Sequence, residues 1–210
     1  MSNLNFLHSG GNKVTLSSPD SNPSSDITFK LPQTDGSANA VLKTDGSGAL
    51  SFNSVEVDHW YLNQNATGGT IPGTYWTRNL KIGTGMSVSQ DANGRWTFPS
   101  TGIWKITTYP FFRPVAGDNV YFDIYITRDS FSNNYHYARG GKSSGNNNNN
   151  AAKNGANSHL IDIENVSTYG IYFVLGSHGS GSYTQGSSAG AWNSGTPMYT
   201  TIMFERMGDT

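Results

Sequence analysis

Apolar and polar residues alternate with a period of two over most of the chain after residue 55. The run 120–127 shows this most clearly, with one apolar face (Val120, Phe122, Ile124, Ile126) and one polar or amphipathic face (Tyr121, Asp123, Tyr125, Thr127). Similar runs occur at 159–163, 171–175 and 197–204, whereas no segment sustains a 3.6-residue period. This pattern predicts an all-β sandwich or jelly roll of roughly eight to ten strands.

The first 55 residues follow a different pattern, in which apolar pieces of three to five residues stand between turn residues. The pieces lie at 14–16, 27–31, 40–43 and 49–52 and predict short strands. Thr-Asp-Gly-Ser occurs at 34–37 and 44–47, and the second copy predicts a type I′ hairpin between 41–42 and 50–52. We therefore expect a segment 1–55 for a stalk or for attachment, followed by a head domain over 56–210.

The segment 1–55 has too few apolar side chains to fold alone. Burying them would contribute about 10–20 kcal/mol at about 1.5–3 kcal/mol each. Ordering the residues costs roughly 1.5 kcal/mol apiece, which is several times more in total. We expect this segment to require copies of itself or a partner surface.

The densest aromatic block lies at 95–106. Trp96 and Phe98 precede the turn signal 99–102, and Trp104 and Ile106 follow it. The spacing predicts a hairpin in which these pairs face each other, each cross-strand pair adding roughly 0.2–1 kcal/mol. We interpret the large aromatic residues as core or trimer contacts, with an exposed ligand platform as the alternative (Trp60, Trp96, Phe98, Trp104, Phe122, Phe204).

Composition limits the classes of partner and chemistry. There are 13 basic and 14 acidic residues, and charged residues make up 13% of the chain, against about 25% in typical domains. A neutral chain lacks the basic surface that nucleic-acid binding requires. The absence of cysteine excludes thiol enzymes and zinc ribbons. No apolar run is long enough to span a membrane and no signal peptide is recognisable, so we expect synthesis in the cytoplasm.

Catalytic and metal-binding motifs are not found. The five histidines stand outside any recognisable catalytic pattern, and no nucleophile elbow, zinc-protease motif, calcium loop or P-loop occurs. Asp162 and Glu164 would share one strand face, but no second carboxylate cluster completes a calcium or glycosidase site. We expect no enzymatic activity, no cofactor and no metal.

Six residues around the aromatic block resemble the C1q/TNF-like family. Its pattern G-x-[FYW]-x-F-P-x-x-G-x-[YW] is matched by Gly94, Trp96, Phe98, Pro99, Gly102 and Trp104. In that family the run joins two strands of the inner sheet. Two earlier pieces, 58–60 and 83–86, also resemble the opening strands of that family. The resemblance covers about residues 57–207 and implies a homotrimeric jelly roll. The chain differs in lacking a collagen stalk and in a long insertion at 140–157.

The front segment resembles a stalk module of bacteriophage virion proteins. Residues 14–52 are similar to its pattern T-L…T-L-P…L-x-T-D-G-x-G-x-L-x-[WF]. The resemblance implies a location in the virion, a threefold assembly and attachment to other virion proteins through residues 1–55.

Three segments rich in Tyr, Ser and Asn are candidates for receptor contact. They are the tip 131–137, the low-complexity run 139–158 and the loop 181–195, whose composition suits adaptable recognition of saccharides or proteins. Tolerated surface loops are the alternative. The candidate contact residues are Tyr135, His136, Tyr137, Asn146, Asn148, Tyr183 and Trp192.

These inferences favour a trimeric phage fibre or spike whose head contacts the host surface. A capsid decoration protein with a mechanical role is the first alternative, because the chain is short and lacks a long shaft. A glycan depolymerase is the second, and it is weakened by the missing carboxylate constellation.

Overall fold

The computed structural model describes residues 4–16, 19–36, 40–53, 55–115, 117–144, 153–187 and 197–210. The chain divides into two compact units, Met1–Ser54 and Val55–Thr210. Strands are the main regular structure of both, and the one helical element of the described residues is a single 3-10 turn, Gly73–Tyr75. None of the described helical structure is long and apolar enough to cross a membrane.

The first unit contains two separate hairpins. β1 (Leu4–Leu7) pairs with β2 (Lys13–Leu16), and β3 (Val41–Thr44) pairs with β4 (Leu50–Asn53), both antiparallel. β1 was not predicted from the sequence. The strand predicted at 27–31 is wrong: only Lys30 makes a bridge there, to Ala49.

The turn between β3 and β4 is longer than predicted. Thr44 pairs with Leu50, so residues 45–49 form the loop, and Gly46 and Gly48 rather than Asp45 take positive φ. The Asp45 carboxylate accepts hydrogen bonds from the backbone N–H groups of Ser47 (2.8 Å) and Ala49 (3.0 Å). The prediction of a two-residue type I′ turn is therefore wrong, because the Asp45 carboxylate stabilises a five-residue loop through hydrogen bonds to its backbone.

The second unit is a sandwich of two main sheets. Its strands are β5 (Val57–Leu62), β6 (Gly69–Thr70), β7 (Trp76–Ile82), β8 (Ser87–Val88), β9 (Trp96–Thr97), β10 (Gly102–Tyr109), β11 (Phe111–Arg113), β12 (Asn119–Thr127), β13 (Tyr135–Ser144), β14 (Lys153–Asn154), β15 (Asn157–Ile163), β16 (Gly170–Gly176), β17 (Tyr183–Thr184) and β18 (Thr201–Gly208). One sheet has the order β15-β10-β18-β5-β7 and the other β13-β12-β16-β9-β8, with β6 beside β16. A third, smaller sheet has the order β14-β11-β17.

The core lies between the two main sheets and is rich in aromatic residues. Trp96 is completely buried, and its ring lies 4.9 Å from Trp60, 5.9 Å from Phe173 and 5.3 Å from Phe204. The six aromatic residues predicted for core or trimer contact are all buried in this one cluster. The all-β prediction is confirmed, because alternating strands from both sheets supply the buried face.

The predicted hairpin around Pro99 is wrong. β9 pairs with β8 and β16 in the six-stranded sheet, whereas β10 pairs with β15 and β18 in the five-stranded sheet. The segment 98–101 therefore crosses from one sheet to the other, and the two strands do not share an inner sheet as the resemblance implied. The rings of Phe98 and Trp104 still meet, with centroids 5.4 Å apart, but they do so at this crossing between the sheets.

Two residues explain the crossing. Pro99 has no N–H with which to continue the ladder of β9. Gly102 has φ +121°, and a Cβ atom there would collide with the carbonyl oxygen of Gly208. The chain can therefore leave one sheet at Pro99 and enter the other at Gly102.

Candidate functional site

β13 contains much of what the sequence predicted as loop. Tyr135, His136 and Tyr137 are its first residues, and its pairing with β12 continues from Ile126↔Tyr135 to Asn119↔Ser144. The prediction of a loop over 139–158 is wrong at both ends, because 139–144 belong to β13 and the strands β14 and β15 begin at Lys153 and Asn157. Backbone pairing with β12 outweighs the weak strand preference of this glycine- and serine-containing run.

Of the remaining receptor-contact candidates, Tyr183 alone lies among the described residues. Asn146, Asn148 and Trp192 lie outside the described residues. Tyr183 is half-buried in β17 and lines an open cleft of about 380 Å³ with His178 and residues 179–182. The structure thus brings Tyr135, His136 and Tyr137 together on one strand and places Tyr183 on another sheet.

A row of rings crosses the outward face of the six-stranded sheet. Tyr125 of β12 is paired with Tyr172 of β16 on one side and with His136 of β13 on the other. The Tyr125 and Tyr172 rings are stacked, with centroids 5.2 Å apart and planes at 22°, and Tyr125 lies 5.3 Å from the His136 ring. All three side chains remain partly or fully exposed, so this row is a surface feature of the head.

A charged cluster continues the row along β12. The Asp123 carboxylate receives two hydrogen bonds from Arg139 (2.7 and 3.1 Å), and the Arg139 guanidinium lies 3.8 Å above the Tyr121 ring. His136 Nε2 lies 3.5 Å from Asp123 Oδ2. The hydrogen bonds from Arg139 to Asp123 raise the pKa of Arg139, so the guanidinium keeps its charge.

Tyr172 also lines an open cleft of about 160 Å³. The other lining residues come from β6, from the segment between β8 and β9, and from the segment between β12 and β13 (Thr70, Asn93, Arg95, Phe131, Asn134). Burial raises the pKa of the Tyr172 hydroxyl above its usual value of 10.0, so the group remains a proton donor at neutral pH. Tyr172 was not predicted from the sequence, although a tyrosine on the outward side of the apolar run 171–175 was a usable signal.

Asp91 braces one rim of this cleft. Its Oδ1 accepts hydrogen bonds from the Ser89 hydroxyl (2.8 Å) and from the backbone N–H groups of Asn93 (2.9 Å) and Gly94 (3.1 Å). The hydrogen bond from Ser89 is the main cause that lowers the pKa of Asp91, and those from Asn93 and Gly94 add to it. The carboxylate therefore fixes the backbone that carries Asn93 and Arg95.

Asp129 braces the opposite rim in the same way. It accepts hydrogen bonds from the backbone N–H (2.9 Å) and the side-chain amide (2.7 Å) of Asn133, and from the Thr127 hydroxyl (2.8 Å). These bonds, led by the backbone N–H of Asn133, lower the pKa of Asp129. Between these residues Ser130 and Phe131 have φ of 57° and 67°, a conformation that non-glycine residues rarely adopt.

His178 is not part of a catalytic triad. Its Nδ1 lies 3.0 Å from the Gly176 carbonyl oxygen and its Nε2 3.1 Å from Thr184 Oγ1, while the Ser182 hydroxyl donates to Asp118. Serine and histidine therefore have separate partners, unlike a nucleophile and its base. Among the described residues no three His, Cys, Asp or Glu side chains are grouped to hold a metal ion.

An ion pair between the buried Asp58 and the exposed Arg78 accounts for the early motif pieces at 58–60 and 83–86. Asp58 is fully buried and accepts two hydrogen bonds from Arg78 (2.9 and 3.1 Å) and one from the Met86 N–H (2.7 Å). The Arg78 guanidinium also lies 4.3 Å over the Trp60 ring. These contacts hold the segment after β7 against β5, which is a structural role.

Comparison with solved structures identifies the fold of the head. Murine APRIL at pH 5.0 is similar with a TM-score of 0.52 and 12% identity, over 73% of this chain and 99% of that one. Eiger TNF from S. frugiperda is similar with a TM-score of 0.51 and 9% identity, over 75% of this chain and 96% of that one. No protein-family model matches the sequence, and no curated protein is significantly similar to it. The TNF-type jelly roll is thus confirmed as the fold of the head.

Proposed function

We propose that the chain is the subunit of a homotrimeric phage virion appendage whose head contacts the host cell surface. The first unit attaches the trimer to other virion proteins, and the outward face of the six-stranded sheet is presented to the host. The observation that carries this proposal is the combination of a first unit with an exposed apolar face and a TNF-type head.

The β1–β2 hairpin supports assembly through the first unit. Leu4, Phe6, Val14 and Leu16 lie on one face of the hairpin, where Leu4 pairs with Leu16 and Phe6 with Val14. Each is more than half exposed in the single chain. A two-stranded hairpin is marginally stable in water at best, so this face requires a covering surface. A second and third copy of the same hairpin provide one, as does a neighbouring virion protein.

The outward face of the five-stranded sheet supports association of the heads. Leu160 of β15 and Leu80 of β7 lie on this face and are 59% and 56% exposed. Between them the Lys105–Glu205 pair (2.9 Å) and Met203 lie on the strands β10 and β18. A broad face that mixes apolar residues with a few paired charges is typical of subunit interfaces. The threefold arrangement follows from the resemblance to C1q/TNF-like heads.

The other outward face suits recognition rather than assembly. Among the described residues this face presents tyrosine rings, a histidine and the Arg139 guanidinium, which pairs with the buried Asp123, and it has no cluster of exposed aliphatic side chains. Tyrosine gives a large contact area at a small cost in conformational entropy, which favours specific and reversible contacts. If the five-stranded sheets pack together in the trimer, this face remains accessible.

The experiment that tests the virion role is the localisation of the chain in purified particles. Mass spectrometry of virions from the organism that encodes the chain should detect it, and immunogold labelling should place it on fibres or spikes. Labelling spread regularly over the capsid would favour the decoration protein instead. Absence of the chain from purified virions would contradict the proposed function.

A further inference from the structure

We propose that the cleft beside Tyr172 binds a neutral saccharide, with the sugar ring stacked on the Tyr172 side chain. The inference rests on the proposed function in one respect: it names the chemical class of the host molecule that the head contacts. The proposed site differs from the loops predicted from the sequence, because strands and hydrogen-bonded loops form it together.

The stacking surface comes from the ring row. Tyr172 is half-buried and supported from one side by Tyr125, which in turn contacts His136. The same Tyr172 side chain lines the cleft, so a ligand there meets an aromatic ring that is already held in place. Aromatic rings present a flat apolar surface to the C–H face of a sugar, and their fixed orientation limits the entropy lost on binding.

The polar groups of the cleft match sugar hydroxyls. The side-chain amides of Asn93 and Asn134 and the Thr70 hydroxyl both donate and accept hydrogen bonds, as hydroxyl groups do. Arg95 lies 4.9 Å over the Phe131 ring, which orients its N–H donors, and forms no salt bridge with any other described residue. A few directional polar groups around an aromatic surface are typical of small-ligand sites.

The low charge of the cleft speaks against a polyanionic ligand. Arg95 is its one charged lining residue, since Asp91 and Asp129 hold their own loops through hydrogen bonds. A single cation does not suit a polyanion such as nucleic acid, which requires several basic contacts. The low charge of the whole chain, with a net charge of −1, is consistent with a neutral partner.

The backbone of the cleft is arranged before any ligand binds. Phe131 has a positive φ. Its ring occupies the space that a side chain at position 170 would need, so this position requires glycine. The Thr127 hydroxyl accepts a hydrogen bond from the Phe131 N–H (2.8 Å) and holds the strained turn. Strained residues persist only where surrounding contacts hold them, and such residues are concentrated at binding sites.

The test is the binding of the full-length protein to an array of neutral and acidic oligosaccharides, followed by titration of each oligosaccharide bound. We expect binding to at least one neutral oligosaccharide. Tyr172→Ala should weaken it at least tenfold, and Tyr172→Phe should retain most of it because stacking persists. Asn134→Ala, an exposed position, should also weaken binding. Tyr199→Ala is the matched control, since Tyr199 is equally half-buried and contacts Phe111 at 5.0 Å on another part of the head.

Two results would overturn the cleft assignment. The first is an array to which no neutral oligosaccharide binds. The second is oligosaccharide binding that survives both Tyr172→Ala and Asn134→Ala. Loss of binding on Tyr183→Ala would then assign the ligand to the other cleft. An empty array together with inhibition of phage adsorption by the protein would leave the proposed function standing. Sugar binding at Tyr172 by a chain that is absent from virions would leave the cleft assignment standing and contradict the virion role.

Discussion

The Trp96 side chain connects the two main sheets of the head. Its ring contacts Trp60, Trp76, Phe173 and Phe204, which come from strands of both sheets. We predict that Trp96→Ala lowers the free energy of unfolding by about 3–5 kcal/mol, because it leaves a large cavity. Chemical denaturation of the full-length protein measures this loss. Met207→Ala, at an exposed position, should change stability by no more than about 0.5 kcal/mol, and an equal effect of both variants would contradict the account.

His178 should make the stability of the head dependent on pH. Burial lowers the pKa of His178 below its ordinary value of 6.5, although hydrogen bonding to Gly176 and the charge of Asp118 oppose this. The folded state therefore binds the proton less readily than the unfolded state, and the stabilising effect is complete above pH 6.5. It is lost as the pH falls from 6.5 through the lowered pKa of the folded state.

The measurement is the free energy of unfolding between pH 8 and pH 5 for the wild type and His178→Gln. We expect a flatter decrease in the variant. His59 adds to the residual slope, because burial lowers the pKa of His59 as well. His8→Gln, in the first unit, is the control. A variant slope equal to that of the wild type would show that His178 is protonated equally in both states.

At the residue scale the alternation along β12 predicted which side chains face the core, although Asp123 on its other face is buried too. Phe122 and Ile124 alternate with Tyr121 and Asp123, and the first pair is buried in the core while Tyr121 is partly exposed. The same pattern does not reveal which outward residues meet. Tyr172 and Tyr125 are 47 positions apart, and only the pairing of β12 with β16 brings them together.

At the scale of elements, the crossing between the sheets depends on Gly102. We predict that Gly102→Ala destabilises the head by more than Gly69→Ala, because both positions have positive φ but only the first has no room for a Cβ atom. The φ alone costs roughly 1–2 kcal/mol for an alanine. The difference between the two variants in thermal denaturation reports the collision with Gly208 together with the less favourable φ of Gly102. Equal losses of stability in the two variants would show that the backbone at this crossing shifts to accommodate the Cβ atom.

Turn signals predicted where the chain changes direction but not which sheet it enters. The signal at 99–102 is compatible with a hairpin and with a crossing, and the partners β15, β16 and β18 decide between them from more than 50 residues away. Similarly, the pairing of β13 with β12 extends into a run whose composition favours a loop. Long-range pairing therefore overrides local preference at both places.

For the whole molecule, the TNF-type head and the exposed apolar face of the first hairpin together predict a trimer. Light scattering of the full-length protein should give three times the 22.7 kDa mass of one chain. Phe6→Asp places a charge on the apolar face of the first hairpin and should weaken the trimer, whereas Asn5→Asp, on the opposite face, should not. A monodisperse monomer for the wild type would contradict both the trimer and the role of the exposed hairpin face.

The most direct test of the central claim is adsorption of the phage in the presence of the full-length protein. The account predicts that the labelled protein binds permissive cells saturably and that the same concentrations inhibit adsorption of the phage. Tyr172→Ala should lose both effects, while Tyr199→Ala retains them. A trimeric, virion-borne protein that binds no permissive cell would contradict the claim and would identify the chain as a structural component of the particle alone.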